Sequence, residues 1–95
     1  MSTISEDNSH RCQHWQVNIS IDEREDHVRA VAQMQYRERT LVGVGRTRLD
    51  PGYRYPDAVV EELVVGRALA DLTRHLFAVT AQDIEAVADD KVSAS

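Results

Sequence analysis

Four arginines, Arg29, Arg37, Arg46 and Arg48, are the residues whose type and spacing point most directly to chemistry. A guanidinium presents a planar fork of donors that matches a phosphate group, so arginines gathered on one face form an anion-recognition surface. If Glu38 and Arg39 form a two-residue turn, the flanking strands pair so that Arg29 lies opposite Arg48, with Arg37 and Arg46 on the same outer face. Like charges across a strand pair repel, and a bound anion relieves that repulsion. RNA or a phosphorylated ligand is the sharper reading of these residues. The blander one is a solvated face whose arginines pair with acids of the chain termini or of a second subunit. No aromatic residue is interleaved on this face to stack bases.

Other candidate chemistry is thinner. His10, Cys12 and His14 alternate, so an extended chain projects all three to one side with ligand types suited to zinc or copper, but three ligands near a terminus make a weak metal site. Asp71 and His75 stand four apart at helical spacing and read as a surface hydrogen-bonded pair rather than an acid-base couple. No nucleophile has a recognisable setting, no paired carboxylates stand out and no cofactor fingerprint is present. The expectation is therefore a protein that is not an enzyme, without catalytic residues, metal, cofactor or small-molecule substrate. The Val-Gly-Val-Gly run at Val42 to Gly45 lies inside a strand with no helix start after it, so close packing explains it better than a phosphate-cradling loop.

The elements that position these residues follow from periodicity. Trp15, Val17, Ile19 and Ile21 alternate with Gln16, Asn18 and Ser20, giving a half-buried strand. The acidic connector Asp22 to His27 leads to a second alternating run, from Val28 to Arg37. A third strand, Thr40 to Leu49, ends at the turn residues Asp50, Pro51 and Gly52. The assumed register pairs Met34 with Gly43 and Ala32 with Gly45, so small residues make a shallow seat for a closely packed helix. Pro56 and Asp57 open that helix, which runs to Val79, and Thr80 with Asp83 caps a short second helix over residues 81–88.

The long helix is apolar around more than half its circumference, more than one sheet face covers. One row contains Val65, Leu69, Leu72 and Leu76. Another contains Val59, Leu63, Gly66, Ala70 and Phe77, and Arg67, Asp71, Arg74 and His75 occupy a narrow polar arc. One row should meet the sheet and the other a second copy, so Val59, Leu63, Gly66, Ala70 and Phe77 are the candidate dimer interface.

Ninety-five residues with 42% hydrophobic content support one small domain, whose core alone is marginal. Residues 1–12 read as a flexible N-terminal tail, 13–88 as the domain and 89–95 as a flexible C-terminal tail. The formal charge of -5 opposes nonspecific binding to nucleic acid or acidic membranes, although residues 27–56 carry an excess of four positive charges. No apolar run is long enough for a membrane span, and the N-terminal residues lack the order of a signal peptide. A single cysteine favours a reducing cytoplasm.

The segments HWQVNISIDE (His14 to Glu23), LVGVGRTRLDP (Leu41 to Pro51) and ALADL through DIEAV (Ala68 to Val87) together resemble a small actinobacterial family of unknown function. Its members include mycobacterial proteins associated with dormancy and low oxygen. The resemblance implies a compact α+β fold of the double-stranded-RNA-binding-domain type, a homodimer and a likeness to ribosome hibernation-promoting factors. It carries over no catalytic or binding residues. The expectation is a three-stranded antiparallel sheet with one long helix and a short C-terminal helix. Its function would be that of a stress or dormancy accessory protein bound to the ribosome or structured RNA through Arg29, Arg37, Arg46 and Arg48. The alternative is a homodimeric protein-interaction module that binds no nucleic acid.

Overall fold

Period-two alternation over three consecutive stretches builds an antiparallel meander, and one helix returns across it. The computed structural model describes residues 11–50, 52 and 55–94, with side chains to residue 90. Strands β1 (Gln16–Glu23), β2 (His27–Tyr36) and β3 (Arg39–Arg48) form a sheet in the order β1-β2-β3, followed by helix α1 (Asp57–Ala94). The fold is thus the expected α+β arrangement of three antiparallel strands and one long helix.

The β2–β3 register differs from the sequence expectation by two residues. Tyr36 pairs with Arg39, so the turn residues are Arg37 and Glu38, both left-handed with φ of 47° and 64°. Ala32 then meets Gly43, Ala30 meets Gly45 and Met34 meets Leu41. A two-residue shift keeps every side chain on its face, and this one gathers the four smallest residues into a single block. Over that block α1 passes so closely that a β-carbon on Gly43 would run into the backbone of Ala68 and Leu72, and one on Gly45 into that of Val64 and Ala68. Glycine is required at both positions because the helix backbone occupies the side-chain space.

Val64, Ala68 and Leu72, spaced four apart, form the line of α1 that closes the core against Val28, Ala30, Ala32 and Met34. This line runs between the two rows separated from the sequence. Only Leu72 of the first row is buried, with Val65 and Leu76 packed at the margin of the core. All five residues of the proposed interface row, Val59, Leu63, Gly66, Ala70 and Phe77, face solvent.

The expected break near Thr80 does not occur. Thr80 Oγ1 donates to the carbonyl of Leu76 at 2.9 Å, so its hydroxyl bonds back into the helix instead of capping a new one. The short C-terminal helix is therefore the continuation of α1. It extends through residues 89–94, beyond the boundary expected for the domain. The N-terminal segment expected to be a tail lies outside the described residues up to residue 10.

Candidate functional site

Three side chains of α1, each one helical turn apart, seal the outer edge of β3. Arg67 Nη1 donates to the carbonyl of Arg46 at 2.7 Å. Asp71 Oδ2 accepts the backbone N–H of Val44 at 2.9 Å, and His75 Nδ1 donates to the carbonyl of Val42 at 2.7 Å. Val42, Val44 and Arg46 are the residues whose backbone groups point away from β2, so the row spaced i, i+4, i+8 matches every second residue of the edge. Arg74 supports Asp71 with a bond of 2.7 Å to its other oxygen. The N–H of Val44, with Arg74 and His75 adding to it, holds the Asp71 carboxyl below its ordinary value. Asp71 and His75 are thus engaged in holding the edge, and the gap between them is 3.9 Å.

At the end of this edge a cleft of about 580 Å³ is lined by Asp26, His27, Arg29, Arg46, Thr47, Arg48 and Arg67. Arg29 is the direct partner of Arg46, and His27 that of Arg48. Three of the four arginines singled out from the sequence therefore come together, with Arg46 rather than Arg48 opposite Arg29. Arg37 stands apart in the turn, eight residues from Arg29 along the strand, or about 27 Å at the usual rise. Two carboxylates beside the arginines are already paired. Asp22, across the strand pair from Arg29, bonds to Arg24 at 2.9 Å, and Asp26 bonds to His27 at 2.8 Å. The bond from His27 is the main reason that the Asp26 carboxyl is held below its ordinary value. Among the described residues, Arg29, Arg46, Arg48 and Arg67 form no ion pair. Sequence reasoning missed the part of Arg67 here, although its place four residues before Asp71 on a polar arc was the available signal.

The second surface is apolar. Val17, Ile19 and Ile21 pair with Met34, Ala32 and Ala30, so they lie on the face of the sheet that carries the helix. Yet α1 sits over β3 and β2 and scarcely reaches β1. The three side chains remain 38–41% exposed. Trp15 stacks on Tyr36 at 4.5 Å and closes one end of this trough. The exposed row of α1 continues from Phe77 to Ile84 and Val87, which are 68%, 63% and 62% exposed. Together with Val59, Leu63, Gly66 and Ala70 these residues recur at intervals of three, four or seven along the helix, the pattern of a helix-pairing seam. Arg39 and Asp83, joined at 3.1 Å, mark where α1 passes the β2–β3 turn, so Ile84 and Val87 project beyond the sheet.

Of the residues read as a possible metal site, Cys12 Sγ lies 3.5 Å from His14 Nε2, and His10 is outside the described residues. No group of three metal-ligating side chains is present among the described residues. Among the described residues, no helix is long and apolar enough to cross a membrane.

A meander of three strands with one long helix, held along β3 and open along β1, makes this an α+β protein. The chain belongs to the Rv2632c-like family, whose model matches residues 13–93. It is 50% identical over 78 residues to the uncharacterised protein MT1780 of Mycobacterium tuberculosis, a match covering 82% of this chain and 83% of that protein. It is 40% identical over 80 residues to the uncharacterised Mycobacterium tuberculosis protein Rv2632c, covering 84% and 86% of the two chains. The crystal structure of Rv2632c superposes with a TM-score of 0.78 at 39% identity, over 84% of this chain and 95% of that one. The expected membership of a small actinobacterial family of unknown function is therefore correct.

Proposed function

We propose that this protein is a non-catalytic module that works as a homodimer, of the kind suited to an accessory role in a reducing cytoplasm under stress or dormancy. The observation that carries this reading is β1. Its apolar residues alternate as they do in a strand with one buried face, yet all eight of its residues are exposed in the single copy. A second copy is the occupant that matches, because each chain has both an uncovered sheet face and a projecting apolar helix. Gly66 adds to the argument. Glycine inside a helix costs about 1 kcal/mol relative to alanine, and a β-carbon there would meet nothing within 4 Å, so the single copy offers no packing reason for it.

The reading through the ribosome or structured RNA has less support. Arg37 is far from the other three arginines, and the sheet face that bears them presents Gln, Asn, Ser and Val between the charges, with no Phe, Tyr or Trp among the described residues.

Sedimentation equilibrium tests the dimer. The expected mass is twice 10.7 kDa at micromolar concentration. Ile19→Arg should return it to the single-chain value while far-UV circular dichroism stays unchanged, since Ile19 is already 41% exposed. A wild-type chain that stays single up to millimolar concentration would overturn the proposal.

A further inference from the structure

The cationic cleft beside β3 has no role in the proposed association. We propose that it is a binding site for a diphosphate group, as inorganic pyrophosphate or as the phosphate end of a nucleoside diphosphate. Four guanidinium groups line it, from Arg29, Arg46, Arg48 and Arg67, against the single carboxylate of Asp26. Arg29 and Arg46 face each other directly across the strand pair, an arrangement that costs stability unless an anion lies between the charges. Asp22 is joined to Arg24 and Asp26 to His27, and of these two acids it is Asp26 that also feels the charge of Arg48, so among the described residues Arg29 and Arg46 keep no ion-paired acid.

The geometry favours a compact ligand. Arg46 and Arg48, two residues apart on one face, are separated by about 7 Å, and Arg29 lies about 5 Å across from Arg46. Arg67 is fixed at the rim by its 2.7 Å bond to the Arg46 carbonyl, which uses one of its donors and leaves the others free. Counting Asp26, the lining has an excess of three positive charges. A terminal phosphate carries about -1.5 to -2 at pH 7, so one phosphate leaves part of this charge open and two adjacent phosphates balance it. A bidentate fork from each of two arginines then places two phosphates side by side.

Isothermal titration of the full chain with pyrophosphate and with ADP tests the site, with Arg46→Gln and Arg48→Gln beside Arg37→Gln. All three variants lose the same charge, but Arg37 is at the opposite end of the sheet. Binding should weaken about tenfold in the first two and be unchanged in the third. Equal affinity for pyrophosphate and ADP assigns the site to the diphosphate group itself, and tighter binding of ADP assigns it to a nucleotide. Repeating the titration with the Ile19→Arg chain separates this result from the fate of the dimer. The proposal is overturned if neither ligand binds at millimolar concentration in about 50 mM salt, or if Arg37→Gln weakens binding as much as the others. It is also overturned if an aspartate-rich peptide or an oligoribonucleotide binds at these arginines and pyrophosphate does not.

Discussion

Arg37 and Glu38 occupy left-handed conformations that suit Asn and Gly, and each non-glycine residue there costs about 1 kcal/mol or more. The turn is nevertheless fixed, because the pairing it dictates places Ala30, Ala32, Gly43 and Gly45 in one block beneath the helix. Replacing Arg37 and Glu38 by Asn and Gly should therefore raise stability by about 1 kcal/mol. This would appear as a higher urea midpoint with an unchanged slope. The opposite is expected beneath the helix. Gly43→Ala or Gly45→Ala drives a methyl group into the backbone of α1, and overpacking of this kind costs about 1–3 kcal/mol. The same denaturation experiment should show the loss, and a neutral result at both positions would mean that α1 does not lie where it is described.

At the scale of elements, the contact between α1 and the edge of β3 carries a pH dependence. Asp71 is held below its ordinary value of 3.8, chiefly by the N–H of Val44. A carboxyl whose value is lower in the folded state than in the unfolded chain contributes stability that is fully present above the unfolded value. That contribution is lost as pH falls from about 3.8 through the folded value. Melting temperatures of the wild type and of Asp71→Ala should therefore differ at neutral pH, with the variant lower, and converge as the solution is acidified below pH 4. On the exposed side of the helix, Gly66→Ala should stabilise the single chain by about 1 kcal/mol and weaken its self-association. A dilution series of thermal melts separates the two effects.

Much of this architecture was legible because periodicity is local. The alternation at Val17, Ile19 and Ile21 and at Val28 to Met34 specifies strands and their faces, and Pro56 with Asp57 marks the start of the helix. Register was not legible, since it turned on whether the chain reverses at Arg37–Glu38 or one residue later, and neither pair has the glycine that announces such turns. Continuity of the helix past Thr80 was also hidden, because a threonine hydroxyl serves equally as a cap or as a bond to the preceding turn. The position of the helix could have been inferred further than it was. The small residues lie only on the second and third strands, whereas Val17, Ile19 and Ile21 are too large to admit a close helix.

At the scale of the whole molecule, the two candidate surfaces obey different physics. The apolar trough over β1 and the row from Val59 to Val87 should associate with little dependence on salt, because apolar burial is not screened. Phe77→Glu, at a side chain 68% exposed in the single copy, should weaken self-association at least tenfold, about 1.4 kcal/mol or more, without unfolding the chain. Sedimentation at low and high ionic strength should show the wild-type dimer at both. The cleft of Arg29, Arg46, Arg48 and Arg67 should instead lose its ligand as salt rises, and the overall charge of -5 sharpens that loss for long polyanions. Sequence revealed the charged residues of the cleft but not their grouping. Arg37 is separated from them by the turn, and Arg67 is brought to them by the helix.

The unequal edges of the sheet set a limit on stoichiometry. Arg67, Asp71 and His75 bond one backbone group each of Arg46, Val44 and Val42 along β3, while among the described residues β1 receives no such bond from α1. A sheet with two free edges can add copies without end, as fibres do. This one has one open edge and one that α1 obstructs. If two chains meet through the open edge, each consumes the other's only vacancy, and the assembly stops at a closed pair with twofold symmetry. Unsealing β3, by replacing Arg67, Asp71 and His75 together, would restore the second valence and turn a self-terminating association into a chain reaction.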